Sequence, residues 1–162
     1  MIDVDHFKLI NDEFGHLKGD EVLQSLGRIL AAGIRTSDVA CRIGGEEFLI
    51  LMPGVTSEQA YVCVERLRIK VESSSLLGGE PPRRVTVTTG IAHHTKAMTK
   101  PDDLLKAADD CLYAGKRAGR NRTVMGSPAC APEPAGAQTT RGEAQPDPTS
   151  HPDDLRKALT RF

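Results

Sequence analysis

The chain has 162 residues, 39% of them apolar and 27% charged, with a formal net charge of -1. That composition fits one globular domain and excludes a fibre or a bulk nucleic-acid binder. Its longest apolar run, Phe48 to Met52, falls far short of the roughly 20 residues of a spanning helix, and no basic-then-apolar leader opens it, so a cytoplasmic protein without a membrane segment is expected.

In chain order, a strand stub comes first. Val22, Leu23, Leu26, Ile29 and Leu30 then form one apolar face of a helix beginning near Asp20, whose carboxylate can cap it. Residues Val39 to Ile43 and Glu47 to Met52, two short apolar runs on either side of Gly44 and Gly45, have the pattern of a β-hairpin. Ala60, Val64, Leu67 and Val71 mark a second helix after Ser57, a suitable N-cap. Val85, Val87 and Thr89 alternate with Thr86 and Thr88 up to Gly90, as in a strand. Pro101-Asp102-Asp103 starts a third helix, which carries Leu104, Leu105, Ala108 and Leu112 and closes at Lys116, Arg117 and Gly119. Arg122 to Met125 fits a last edge strand. The order predicts an α+β sandwich with a mostly antiparallel sheet flanked by helices.

Residues 126–162 differ in kind. Up to about Pro152 they are dominated by Pro, Ala, Gly, Ser and Thr, with too little apolar surface to offset the entropy of ordering, and are expected to be disordered. Leu155, Leu159 and Phe162 then recur at helical spacing. A frayed tail is the favoured reading there and a short docking helix over 152–162 the other. Cys41, Cys63, Cys111 and Cys130 are widely and irregularly spaced, which indicates neither a zinc site nor a disulfide framework.

Three constellations carry chemistry. On an extended strand Asp3 and Asp5 share a face, an arrangement that can offer oxygen ligands to magnesium or simply end a strand in solvent. In Gly44-Gly45-Glu46-Glu47-Phe48 the glycines allow a sharp turn and close ligand approach, and the adjacent glutamates fall on opposite faces of the emerging strand. Lys116 and Arg120, four residues apart at a helix end, can grip phosphate oxygens, although cations there also complement the helix dipole.

Together these segments resemble the GGDEF domain of diguanylate cyclases. The resemblance runs through Asp3 to Lys8, Ile10-Asn11-Asp12, Gly15 to Asp20, Arg35-Thr36-Ser37-Asp38, Gly44 to Phe48, Val87 to Ala92, Ala108-Asp109 with Leu112-Tyr113, and Lys116 to Asn121. It is the ordered set of blocks, rather than any one of them, that is specific.

The resemblance implies a nucleotidyl-cyclase palm over residues 1–125 that condenses two GTP into cyclic di-GMP with release of pyrophosphate. Asp3, the Val4 carbonyl and Glu46 would hold Mg2+, with Mn2+ as a substitute, and Glu46 or Glu47 would take the 3'-hydroxyl proton. Asn11 and Asp20 would read the guanine edge, while Lys8, Lys116, Arg120 and the loop at Phe7 would hold phosphates. Arg35 and Asp38 match the family's RxxD product-inhibition site. One domain holds one GTP, so catalysis implies a homodimer with two antiparallel nucleotides. Cys111 and Gly115 stand where the family usually has alanine, and Gly115 lowers helix stability by about 1 kcal/mol.

Family members also carry an amino-terminal helix and nearly all of a central strand ahead of the Asp3 block. The sequence begins at the end of that strand, so an inactive truncated fragment is one alternative. A non-catalytic module that binds cyclic di-GMP or GTP is another, though the intact Gly44 to Phe48 signature argues against it. A basic RNA-binding sandwich lacks the exposed aromatic platform such sheets use.

Overall fold

A computed structural model describes residues 1–78 and 83–126. The expected disordered tail and the helix over 152–162 lie outside the described residues. The element order is β1 (Ile2–Val4), α1 (Phe7–Phe14), α2 (His16–Gly33), β2 (Val39–Arg42), β3 (Glu47–Leu51), α3 (Ser57–Ser73), β4 (Val87–Ile91), α4 (Pro101–Arg117) and β5 (Thr123–Met125). The strands form one sheet in the order β2-β3-β1-β4-β5. All pairings are antiparallel except the parallel edge pair β4 with β5.

Alternation along the strands assigns the two faces. Ile2, Val4, Phe48 and Val87 turn toward α1, α2 and α3 and join Leu23, Leu26, Leu30, Leu67 and Val71 in the main core. The opposite face packs on α4. Gly90 permits that approach, because a Cβ there would lie 2.2 Å from the Ala108 carbonyl oxygen. Gly115 works likewise: a Cβ would lie 2.7 Å from Thr88 Cγ2. The helix propensity lost at Gly115 is therefore set against close packing on β4.

Three helix starts differ from the sequence reading. The helix α1 was not expected. It opens at Phe7 after His6, which is left-handed at φ 57 and offers no side-chain cap. The second helix begins at His16, following the break at Gly15 (φ 82), so Asp20 lies inside it and caps nothing. For α3 the N-cap is Thr56 rather than Ser57, in a reciprocal capping box with Gln59. The helix α4 starts at Pro101 as the sequence indicates, with Asp103 accepting from the backbone of Thr99 and Lys100.

Candidate active site

The central strand delivers the first carboxylate. Asp3 is directly opposite Glu47 of β3 and Thr88 of β4, and only 4% of it is exposed. The turn before β3 is held by Arg42, whose guanidinium donates to the Gly44 and Gly45 carbonyl oxygens. Val4 donates its N–H to the Glu46 carbonyl at 3.2 Å, which fixes Glu46 beside Glu47 at the strand end. From α4, Lys116 Nζ reaches Asp3 Oδ2 at 2.8 Å.

The electrostatics show how closely these groups converge. Burial raises the pKa of Asp3, and Asp5 adds repulsion, while Lys116 and then Arg120 oppose the shift. Burial followed by the charge of Asp3 raises both Glu46 and Glu47, with Lys116 pulling each back. Three carboxylates and one ammonium thus share a single field.

Asp5 has a different task from the one its spacing allows. It is 5% exposed and accepts from Thr88 Oγ1 at 2.6 Å, Thr86 Oγ1 at 2.7 Å and the Asn121 N–H at 3.0 Å. With its lone pairs engaged by three donors, it braces the end of β1.

The remaining residues named from the sequence lie around this centre. Phe7 and Lys8 form the first turn of α1, Phe7 buried and Lys8 exposed. The leading N–H groups of a helix have no partner within it and suit an anion. Asn11 and Asp20 stand on α1 and α2, which pack together. Asn11 Oδ1 is buried without a hydrogen-bond partner, and a Cβ at Gly19 would fall 1.9 Å from it. Arg120 is exposed and left-handed at φ 61.

Arg35 and Asp38 form a separate corner between α2 and β2. There the Asp38 carboxylate accepts the Arg35 N–H at 3.0 Å and the Asp38 N–H returns to the Arg35 carbonyl at 3.0 Å. The Arg35 side chain is left exposed.

The sequence matches the family described as "Diguanylate cyclase, GGDEF domain" over residues 1–122. The chain belongs to the GGDEF family. This GGDEF chain is 44% identical over 124 residues to the diguanylate cyclase DgcM of Escherichia coli, covering 76% of this chain and 29% of that protein. It spans about a third or less of the length of the curated relatives it matches.

Among solved structures it superposes on the active GGEEF domain of a diguanylate cyclase from Vibrio cholerae with a TM-score of 0.72 and 35% identity. That match covers 76% of this chain and 78% of the other. It also superposes on the GGDEF domain of DgcB from Caulobacter crescentus in complex with c-di-GMP, with a TM-score of 0.71 and 31% identity, covering 76% and 74%. The GGDEF fold of these structures is the α+β sandwich read from the sequence.

The donor set suits a hard divalent cation. Asp3 and Glu46 offer carboxylate oxygens, and their mutual repulsion is of the kind a cation relieves. Among the described residues no three acidic, His or Cys side chains close into a metal cage. Magnesium does not require one, because it is commonly held by one or two carboxylates together with substrate phosphates.

Several residues that shape the site were not singled out from the sequence. Thr86, Thr88, Arg68 and Asn121 act through hydrogen bonds between segments far apart in the chain. Thr88 and Asn121 lie in matched blocks, whereas nothing in the sequence pointed to Thr86 or Arg68.

Proposed function

We propose that this GGDEF domain is a diguanylate cyclase, which joins two GTP molecules into cyclic di-GMP. The observation that carries the reading is the convergence of Asp3, Glu46 and Glu47, all with raised pKa values, around Lys116. Repelling carboxylates that are buried or half-buried at the end of a sheet lower stability and are characteristic of functional sites.

In this reading each 3'-hydroxyl attacks the α-phosphorus of the other GTP. An O3'–P bond forms, the bond to the β-phosphate oxygen breaks, and pyrophosphate leaves. Asp3, the Val4 carbonyl and Glu46 would hold Mg2+, which when bound would acidify the hydroxyl and neutralise developing charge. Glu46 or Glu47 receives the hydroxyl proton, a role that a raised pKa favours. Lys8, Lys116 and Arg120 stabilise the departing pyrophosphate, and the first turn of α1 at Phe7 cradles phosphate.

Asn11 and Asp20 read guanine from α1 and α2, which pack together, the amide and the carboxylate supplying both donors and acceptors for the base edge. A two-fold homodimer brings the two nucleotides together. The Arg35–Asp38 corner binds product and restrains turnover.

The test is Glu46→Gln in a chain extended ahead of Met1. Cyclic di-GMP formation, followed by chromatography, is expected to vanish while GTP is still bound weakly. Turnover near that of the unsubstituted protein would overturn the role of Glu46. Binding without turnover in both proteins would favour a non-catalytic module instead.

A further inference from the structure

The turn after α4 is unusual in its backbone. Gly119, Arg120 and Asn121 are consecutive and all left-handed, at φ 112, 61 and 46. Two of them carry a Cβ, which makes this conformation unfavourable unless surrounding groups impose it.

What imposes it comes from α3. Arg68, its side chain 11% exposed, is held by Glu65 Oε1 through Nε and Nη2 at 2.9 and 2.8 Å. Its Nη1 donates to Glu72 Oε2 at 2.8 Å and to Asn121 Oδ1 at 2.6 Å. Asn121 Nδ2 donates back to Glu72 Oε1 at 3.0 Å, while the Asn121 N–H is taken by Asp5. Glu65 is itself anchored by Thr123 Oγ1 at 2.6 Å. Asn121 is therefore gripped at both ends of its amide and at its backbone.

A left-handed turn alone would be met by glycine, so the grip does more than make the turn. It fixes the backbone immediately after Arg120, whose charge acts on Asp3. The planar guanidinium suits the task because its fork bonds several acceptors at fixed angles, as an ammonium cannot.

We propose that Arg68 is a positioning residue, which acts through Asn121 to hold Arg120 where it meets the phosphates of the nucleotide. The inference rests on the phosphate contact proposed for Arg120.

The test is a double-mutant cycle on GTP affinity, measured by titration calorimetry with residues 1–162 in the cold. Arg120→Met and Arg68→Met are each expected to weaken GTP binding about tenfold, the scale of one charge-assisted hydrogen bond. Arg68→Met in the Arg120→Met background is expected to add almost nothing. Arg68→Lys is expected not to rescue.

Asn121→Gly keeps the left-handed backbone and loses the side-chain grip. It should reproduce the loss even if Arg68→Met fails to fold. A tenfold effect of Arg68→Met that persists unchanged without Arg120 would mean a merely structural role and overturn the inference. So would unchanged affinity in both Arg68→Met and Asn121→Gly. If Arg120→Met has no effect while the unsubstituted chain binds GTP, the phosphate contact itself falls and takes the inference with it.

Discussion

Asp3, Glu46 and Glu47 hold their protons more tightly than ordinary carboxyls, first because burial disfavours the charged form and then because of a neighbouring carboxylate, Asp5 beside Asp3 and Asp3 beside the two glutamates. A carboxyl whose folded-state pKa lies above its unfolded value destabilises the fold when ionised. The penalty is complete above the folded-state pKa and disappears below the unfolded one, near 4.5 for a glutamate. Removing the Glu47 charge should therefore stabilise the metal-free protein. Half-exposed groups lose much of such an effect to solvent, so Glu47→Gln is expected to raise the melting midpoint at neutral pH by only about 2 °C. That gain should shrink toward zero as the pH falls to about 4.5, and excess Mg2+ should reverse its sign by favouring the native carboxylate. Calorimetry across this pH range checks both, and a midpoint lowered by the substitution at neutral pH without metal would contradict the raised pKa.

The pair Asp3 and Glu46 was named from the sequence only through the family resemblance, because an Asp-x-Asp strand end and a Gly-Gly turn are local patterns that each allow a purely structural reading. The role of Asp5 was not legible. Alternation places it on the same face as Asp3, but only the folded chain brings Thr86, Thr88 and the Asn121 N–H to saturate it.

At the scale of elements, the corner between α2 and β2 separates a structural role from a ligand role within two residues. Asp38 closes the corner by accepting the Arg35 backbone N–H, a bond that survives substitution of the Arg35 side chain by any residue but proline. Arg35→Ala should accordingly leave the fold and turnover intact. It should weaken product inhibition by about 1.5 to 3 kcal/mol, the worth of a hydrogen bond to a charged group. Titrating cyclic di-GMP into the turnover of an extended chain measures this, and equal inhibition of the two proteins would leave Arg35 as an ordinary helix end.

The long helices and the β2–β3 hairpin were readable because amphipathic patterns sustained over 17 or 18 residues and a glycine turn leave strong local signals. The helix α1 left only a short one, Phe7 and Ile10 three residues apart with Phe14 a turn further on. It is eight residues long, its N-cap side chain makes no hydrogen bond, and no acidic residue lies in its first turn. Its register is fixed instead by Phe7 and Ile10 inserting into the core. Asp20 misled for a related reason, since a good capping residue is a weak signal when Gly15 already breaks the chain one turn earlier.

At the scale of the sheet, β1 is the central strand and pairs antiparallel with both neighbours. β1 has three residues while β3 and β4, on either side of it, have five each. Beyond Ile2, the ends of β3 and β4 face a cleft of about 440 Å³ rather than a strand. It is lined by Leu49, Leu51, Val64, Ile91, Leu104 and Ala108 among others. The Met1 amine sits at its edge, donating to the Gly90 carbonyl at 2.7 Å. Burial lowers the pKa of that amine from 8.0 to about 6.

The protonated amine is therefore bound less in the folded state than in the unfolded one. Stability rises with pH between those values, and the penalty below them is about 3 kcal/mol. A peptide N–H in place of the amine would make the same bond without a charge, and residues continuing β1 would pair the exposed edges and fill the cleft. Whole-domain stability is only about 5 to 15 kcal/mol, so these terms decide whether the domain melts as a unit. They also set how firmly Asp3, two residues from the amine, is held to the tolerance that phosphoryl transfer needs. Residues 1–162 alone are expected to melt broadly, with a midpoint that climbs from pH 6 to pH 8, and to make no cyclic di-GMP from GTP and magnesium. A chain extended ahead of Met1 by an apolar strand should melt sharply, lose that pH dependence and turn over. Paired calorimetry and product chromatography distinguish the two proteins. A sharp, pH-independent transition with turnover from residues 1–162 would show that the three residues of β1 suffice to hold the sheet and the site.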